Sequence, residues 1–458
     1  MSKFEGLEHR VPIEADNLSI VCNDEICKKC KICIRSCTND AGIYPLYDLS
    51  KNGDNAVCIN CGQCATACPF GALTEVSDID KVEAAISDSS KITVFMTAPS
   101  VRVSLGDAFN LPSGTNVAGK MVSCLRSLGA DYVLDVTFGA DMTIMEEAYE
   151  LIERIKNKEK LPMFTSCCPA WVKFCEMVYP DLINNLSSVK SPIAIQASLV
   201  KTYFAKKNNI DPKNLVVISV TPCTAKKFEH SREELNAGLQ SQNIEGSDCD
   251  ISITTREFAK MIKSHNIDFA NIEDSSFDSM LGEGSGSGLI FGNTGGVMEA
   301  ALRTAHYYIT GKNANPDEFL KFETVRGLEN IKEAKVKIGE YTLNVAACNQ
   351  MAEAKKLIDE IRAGNKTYDF VEVMACKGGC VNGGGQIKIL KKPVMEEARV
   401  NRNKALYDQD SKMKIRFCHD NPQVKAVYEE FLKEPGSEIA HKLIHTHFVD
   451  RSWEINGK

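Results

Sequence analysis

Two rhythms of apolar residues alternate along most of this chain. Short continuous apolar runs, in KITVFMTAPS, DYVLDVT, LPMFTSCCPAW, NLVVISVTPC and YDFVEVMACKGG, are predicted to be buried strands that end in a loop. Between them lie stretches of helical period. In DMTIMEEAYELIERIKNK, Ile144, Met145, Ala148, Leu151, Ile152 and Ile155 fall on one face, which predicts an amphipathic helix. Strands alternating with helices predict an α/β fold, with mostly parallel sheets flanked by helices. The polar stretch VSDIDKVEAAISDSS, itself partly helical in pattern, separates this part from a cysteine-rich N-terminal part.

Composition narrows the class. A chain of 458 residues has room for two to four domains. No run of about 18 apolar residues occurs, so no transmembrane helix is expected. The start, MSKFEGLEHRVPIEADN, lacks the apolar centre of a signal peptide, and a cytoplasmic location is expected. A net charge of −7 argues against general nucleic-acid binding. The 19 cysteines change the picture more. In a reducing compartment they point to metal ligation or catalysis rather than disulfides.

Nine cysteines lie within residues 22–68. CKKCKICIRSC (27–37) and CINCGQCATAC (58–68) both follow C-x2-C-x2-C-x3-C, and the second run is followed by proline. Two such runs in tandem predict a two-cluster ferredoxin fold, in which the last cysteine of each run serves the other cluster. Cys27, Cys30, Cys33 and Cys68 are then expected to hold one 4Fe–4S cluster, and Cys37, Cys58, Cys61 and Cys64 the second. A pair of zinc sites is the alternative, and it fits less well than three close cysteines with a crossing fourth. Cys22 is left over. Such clusters have no open coordination position, so the module is expected to pass electrons. Lys28, Lys29, Lys31 and Arg35 form a basic edge, read either as a solvated face or as a docking patch for an acidic electron carrier.

The remaining cysteines share a position. Cys167 and Cys168 follow the strand at Met163–Phe164, Cys223 follows Leu215–Val220, and Cys376 follows Phe370–Met374. Ala98, Pro99 and Ser100 follow Ile92–Met96 in the same way. Open α/β sheets build their sites at the C-terminal ends of strands, so four loops are expected to converge on one pocket. The bland alternative scatters these cysteines through the core as small apolar residues. In EVMACKGGCVNGGGQ (372–386), glycines surround Cys376 and Cys380. Such a segment suits a backbone that must pass close to something bulky.

TSCCPAW (165–171), TPCTAKKFE (221–229) and EVMACKGGCVNGGGQ resemble the three signature motifs of the FeFe-hydrogenases, and the likeness runs from about residue 20 to 450. The resemblance implies an N-terminal extension (1–20), a two-cluster ferredoxin-like domain (21–85, α+β) and a two-lobed α/β catalytic domain (86–458). It implies an H-cluster, a 4Fe–4S cubane joined through one cysteine sulfur to a diiron unit carrying CO, cyanide and azadithiolate. By motif, the cubane ligands are Cys168, Cys223, Cys376 and Cys380, with Cys380 as the bridge. Lys226 is implied to donate to one cyanide, and Ala98, Pro99 and Ser100 to cradle the other. Met374 and Phe291 would line the pocket. In that family the first cysteine of the pair, here Cys167, binds no iron and relays protons. Glu147, Glu150, Ser187 and Arg154 match the onward path. The expected reaction is H2 ⇌ 2 H+ + 2 e−, with a ferredoxin-type carrier and with maturation proteins that insert the diiron unit. Thr221, where methionine is usual, and Ile193, where glutamine is common, resemble the subgroup called group B. The rival reading is a non-catalytic hydrogenase-like iron–sulfur assembly protein. A nucleotide-linked reductase lacks support, because GEGSGSG (282–288) does not have the G-x-G-x-x-G spacing.

Overall fold

The computed structural model describes residues 3–317, 323–325 and 328–457. The N-terminal part is a small module. Strand β1 (Ile20–Cys22) pairs antiparallel with β2 (Leu73–Glu75), and helices α1 (Ile32–Asn39) and α2 (Gln63–Ala67) pack between them in sequence. Its apolar centre is modest: Val11, Ile20, Ala65 and Leu73 pack around Cys33, Cys64 and Cys68. Helix α3 (Ile79–Ser87) follows. The expected boundary at residue 85 falls inside α3, whose Val82 packs with Phe95, Val133 and Phe258 of the large part.

Among the described residues, nine further strands build the large part. They are β3 (Ile92–Thr97), β4 (Tyr132–Asp135), β5 (Met163–Phe164), β6 (Leu215–Thr221), β7 (Ile251–Thr254), β8 (Glu323–Val325), β9 (Leu328–Ile338), β10 (Tyr341–Asn349) and β11 (Phe370–Met374). One sheet has the order β4-β3-β6-β7 and is parallel throughout. The other has the order β5-β11-β10-β9-β8 and is mixed. There β5, β11 and β10 run parallel, while β9 pairs antiparallel with β10 and with β8. The expectation of mostly parallel sheets flanked by helices holds for the first sheet and for the cysteine-bearing strands of the second. The antiparallel extension was missed. Its signal is present in the alternating VKI-GE-YTLNV, where Gly339 (φ 58°) opens a two-residue hairpin turn.

A second difference concerns DYVLDVT. Helix α4 (Ala118–Leu128) leads into that strand, which stops at Asp135, and helix α5 (Val136–Asn157) begins at once. Asp135 caps it, its Oδ1 accepting from the Thr137 backbone N–H at 3.0 Å. The helix is buried on more than one face in its first half, including Phe138, Ala140, Met142 and Ile144. It therefore runs through the middle of the large part instead of lying on its surface. A side chain at Gly139 would meet the Pro192 carbonyl at 2.3 Å, which sets how closely α5 approaches the helix Pro192–Leu199.

Candidate functional site

Two sets of N-terminal cysteines come together across the sequence. Cys27, Cys30, Cys33 and Cys68 line one small cavity, with Cys22 at its edge. Cys37, Cys58, Cys61 and Cys64 are close enough to bear on each other electrically. Burial pushes the thiols of Cys37, Cys61 and Cys64 upward, and in each case their neighbours in this set push further. Around the first cavity Cys30 is exposed, and Lys28, Lys29, Lys31 and Arg35 are exposed beside it.

The larger site lies where the two sheets meet the N-terminal module. Loops leaving the C-terminal ends of β3, β5, β6 and β11 border about 850 Å³ of space not filled by protein atoms, part of it open to solvent. Cys168, Cys223, Cys376 and Cys380 line it, together with Cys167, Ala98, Pro99, Ser100, Thr221, Lys226, Met374, Phe291 and Ile193. The five cysteines are only partly covered, and the surface they show is the wall of this cavity. The chain is otherwise packed tightly around it. At Gly379 (φ 103°) a side chain would be strained and would meet the Gly292 carbonyl at 2.6 Å; at Gly384 it would meet the Cys61 carbonyl at 2.0 Å.

These residues fit a cubane better than a single ion. Four soft thiol donors surround a volume, and among the described residues no three His, Cys, Asp or Glu side chains close on one metal ion. Burial pushes the Cys168, Cys223, Cys376 and Cys380 thiols upward, Cys223 to about 12. Left alone they are neutral thiols; iron would convert them to thiolates.

Partners that the sequence did not disclose hold the cavity wall. Lys226 is buried and donates from Nζ to Glu229 Oε2 at 2.6 Å. Burial alone would lower its pKa, but the Glu229 carboxylate more than offsets this and raises it, so the ammonium stays charged. Ser191 Oγ donates to the same carboxylate oxygen at 3.0 Å. The Pro99–Ser100 turn is tied by Gln386, whose Nε2 donates to the Ser100 carbonyl at 3.0 Å, and by Arg102 Nε, which donates to the Pro99 carbonyl at 3.2 Å. Thr221 lines the cavity, yet its hydroxyl oxygen accepts from the Cys223 backbone N–H at 3.3 Å.

One wall leads outward through polar groups. The Cys167 thiol is pushed well up, mainly by burial and then by the nearby charge of Glu147. Glu147 is itself buried; desolvation, then Glu150 and Glu372, raise its carboxyl to about 8. It is therefore protonated near neutral pH and can donate or accept a proton. Its Oε2 has no hydrogen-bond partner among the described residues. Glu150 follows, accepting from Ser187 Oγ and from Arg154 Nη2, both at 2.7 Å. Arg154 is fixed by the carbonyls of Lys160, Asn185 and Leu186. Sequence reasoning missed a fork at this point. Ser188 Oγ donates to Glu150 Oε1 at 3.2 Å and sits 2.8 Å from His445 Nδ1. His445 Nε2 lies 3.0 Å from Glu146 Oε2, and its ring packs 4.1 Å from that of the exposed His441. No local pattern links Ser188 to a histidine so far along the chain.

An N-terminal module that gathers two sets of four cysteines, beside a cavity lined by Cys168, Cys223, Cys376 and Cys380, defines a cysteine-rich α/β protein built to hold iron–sulfur clusters. The family model for the C-terminal domain of the iron-only hydrogenase large subunit matches residues 91–384. The iron hydrogenase small subunit model matches 396–451, and a 4Fe-4S binding domain model matches 53–74. The chain is 43% identical to iron hydrogenase 1 of Clostridium pasteurianum over 434 residues, covering 92% of this chain and 74% of that protein. A solved apo FeFe-hydrogenase from Chlamydomonas reinhardtii superposes with a TM-score of 0.73 at 37% identity, covering 82% of this chain and 99% of that one. A cytosolic iron-sulfur assembly component of Bos taurus is 29% identical, covering 91% of this chain and 87% of that protein. The chain belongs to the FeFe-hydrogenase family. Iron–sulfur clusters and an H-cluster are what that family is expected to carry, and no helix among the described residues is long and apolar enough to cross a membrane.

Proposed function

We propose that this chain is a catalytic FeFe-hydrogenase, interconverting H2 with protons and electrons, and that it belongs to the group B branch marked by Thr221 and Ile193. The observation that carries the reading is the pairing, in one cavity, of four cysteine donors with a fifth, Cys167, that stands beside a buried protonated carboxyl. Cys168, Cys223, Cys376 and Cys380 would hold the cubane of an H-cluster, with Cys380 shared with the diiron unit. When bound, that group supplies the redox-active metal at which the H–H bond is made or broken.

The chain's own residues do the rest. Lys226, held as an ammonium by Glu229, offers a charge-assisted donor to an anionic ligand in the cavity. Ala98, Pro99 and Ser100 line the same cavity, and Met374 and Phe291 keep bulk water out. Cys167 exchanges a proton with the cavity and Glu147 takes it onward. Ser187 and Glu150 carry it to Arg154 at the outer end, with Ser188 and His445 as a second way out. Cys37, Cys58, Cys61 and Cys64, the set that reaches the large cavity through Cys61, would hold one electron-transferring cluster, and Cys27, Cys30, Cys33 and Cys68 a second nearer the surface. The exposed basic edge beside Cys30 suits an acidic ferredoxin-type carrier. The diiron unit would come from maturation proteins, and the protein would work in the cytoplasm.

The assembly-protein reading is favoured by several relatives named as cytosolic iron–sulfur assembly proteins, at 26–30% identity. Against it stand Cys167, Lys226 and Met374, whose roles here serve a diiron unit and not a cubane alone. Infrared spectroscopy of protein matured together with the insertion machinery separates the two. CO and cyanide stretching bands, with H2 uptake, are the expected outcome. Their absence from fully reconstituted protein would overturn the catalytic reading.

A further inference from the structure

The N-terminal module meets the glycine loop of the large part through a set of hydrogen bonds, and one of them ends on sulfur. Gln63 lies in CINCGQC, between Gly62 and Cys64, at the start of α2. Its Nε2 donates to Cys376 Sγ at 3.2 Å and to the Asn382 carbonyl at 3.3 Å. Both partners are acceptors, so the amide must present its NH2 and not its oxygen to them, which settles its orientation. The surroundings hold it there. Thr66 Oγ1, one helical turn on, donates to the Gly384 carbonyl at 3.1 Å, and Thr224 Oγ1 donates to the Asn60 carbonyl at 2.7 Å. A side chain at Gly62 would meet Thr224 Oγ1 at 2.4 Å, so the loop bearing Gln63 lies flush against the large part.

We infer that Gln63 is a tuning residue for the large-domain cubane, setting its reduction potential from the neighbouring module by an N–H···S bond to the ligand Cys376. The inference rests on the cubane proposed above. An iron-bound thiolate is a better acceptor than a thiol, so the bond strengthens when the cluster is in place. Donation to a ligand sulfur stabilises the more negative, reduced cluster more than the oxidised one, and this raises the potential. The donor sits next in sequence to Cys64, a ligand of the adjacent ferredoxin-type cluster. The geometry therefore biases electrons toward the catalytic cavity from the cluster that exchanges them with it.

The test uses full-length protein produced without maturation proteins, which would hold cubanes and no diiron unit. Midpoint potentials are read by EPR-monitored redox titration, and the large-domain cubane is assigned as the signal lost in Cys223→Ala. Gln63→Met keeps length and removes the donor; Gln63→Glu keeps shape and replaces the donor by an acceptor. Each is expected to shift the reduction equilibrium of that one cubane about tenfold toward the oxidised form, about 59 mV for one electron. Gln63→Glu should shift it further and, by its added charge beside Cys64, also lower the adjacent cluster; selectivity is read from Gln63→Met, which should leave the other two clusters unmoved. An unmoved potential with the cubane present would overturn the inference and leave the proposed function standing. So would a shift confined to the cluster of Cys64, or loss of the cubane in both variants, which would make Gln63 a structural clip only. If Cys223→Ala removes no signal, the large-domain cubane does not exist and both readings fall.

Discussion

The two cysteine-rich regions of this protein solve different problems. In the N-terminal module each run of candidate ligands spans eleven positions of sequence, and the core around it is small. Cys30 is exposed and basic side chains stand beside it. In the large part the candidate ligands Cys168, Cys223, Cys376 and Cys380 come from three strands in two sheets, behind buried loops. A cluster that only passes electrons needs to be near a partner, and a short loop supplies that. A site that handles protons needs donors fixed against each other in a dry setting, where a carboxyl can be held neutral and an ammonium charged. That requires rigid elements that meet from distant parts of the chain.

The sharpest way to break the comparison is to remove one ligand from each region. Matured protein should hold about 14 irons, from three cubanes and a diiron unit. Cys223→Ala should lower this to about 8 and abolish all H2 turnover, since the large site cannot be rebuilt by its neighbours. Cys30→Ala should cost one N-terminal cluster, suppress turnover with a ferredoxin carrier and spare turnover with a small dye. Equal loss with both acceptors would erase the distinction between the two regions.

Next in size is Cys167→Ala. Loss of a proton relay group should cut turnover by about 10²-fold or more, with CO and cyanide bands intact. Disappearance of those bands would make Cys167 structural.

Arg256 joins the regions. Its guanidinium donates to Glu75 Oε2 at 2.9 and 2.7 Å and to the Gly384 and Gln386 carbonyls, both at 2.6 Å. Burial works against the Glu75 charge, but Arg256 and Lys260 outweigh it and hold the carboxyl down at about 2. Arg256→Met leaves that carboxylate buried without its main partner. It should destabilise the protein by about 3–5 kcal/mol, read by thermal or denaturant unfolding. A loss under 1 kcal/mol would mean the junction is held elsewhere.

Glu147 gives a pH signature confined to the large part. Its carboxyl is raised from 4.5 to about 8. Between those values the unfolded chain binds fewer protons at this group than the folded one, so stability falls as pH rises, on the order of a few kcal/mol at most. Glu147→Gln should remove that slope: the variant gains melting temperature over the parent at pH 8 and gains little at pH 4.5. Parallel melting curves at both values would show that Glu147 is not held protonated.

The smallest expected effect is at Thr221. Its hydroxyl oxygen is engaged by the Cys223 N–H, so Thr221→Met should cost about 1 kcal/mol and leave the CO stretching frequencies in place. A shift in those bands would show that the hydroxyl proton reaches the cluster, and would tie the branch's character to this residue.

What the sequence determined by itself was whatever chemistry is written locally. The C-x2-C-x2-C-x3-C runs, the cysteines at the ends of apolar strands and the glycines about Cys376 and Cys380 were all legible. In each, the reason for the residue lies within a few positions of it: a shared cluster, as proposed, would demand the spacing, and close approach demands the missing side chain. The face of α5 was legible too, because period alone marks it. The tertiary structure decided what lies between. It brought Gln63 to Cys376, Arg256 to Glu75, Glu229 and Ser191 together at Lys226, and His445 to Ser188. It also gave the buried surroundings that hold Glu147 neutral. A glutamine, an arginine or a histidine carries no periodic or spacing signal for a partner a hundred or more residues away. Its role is set by burial and by which loops the two sheets bring to one cavity, and those exist only once the chain has folded.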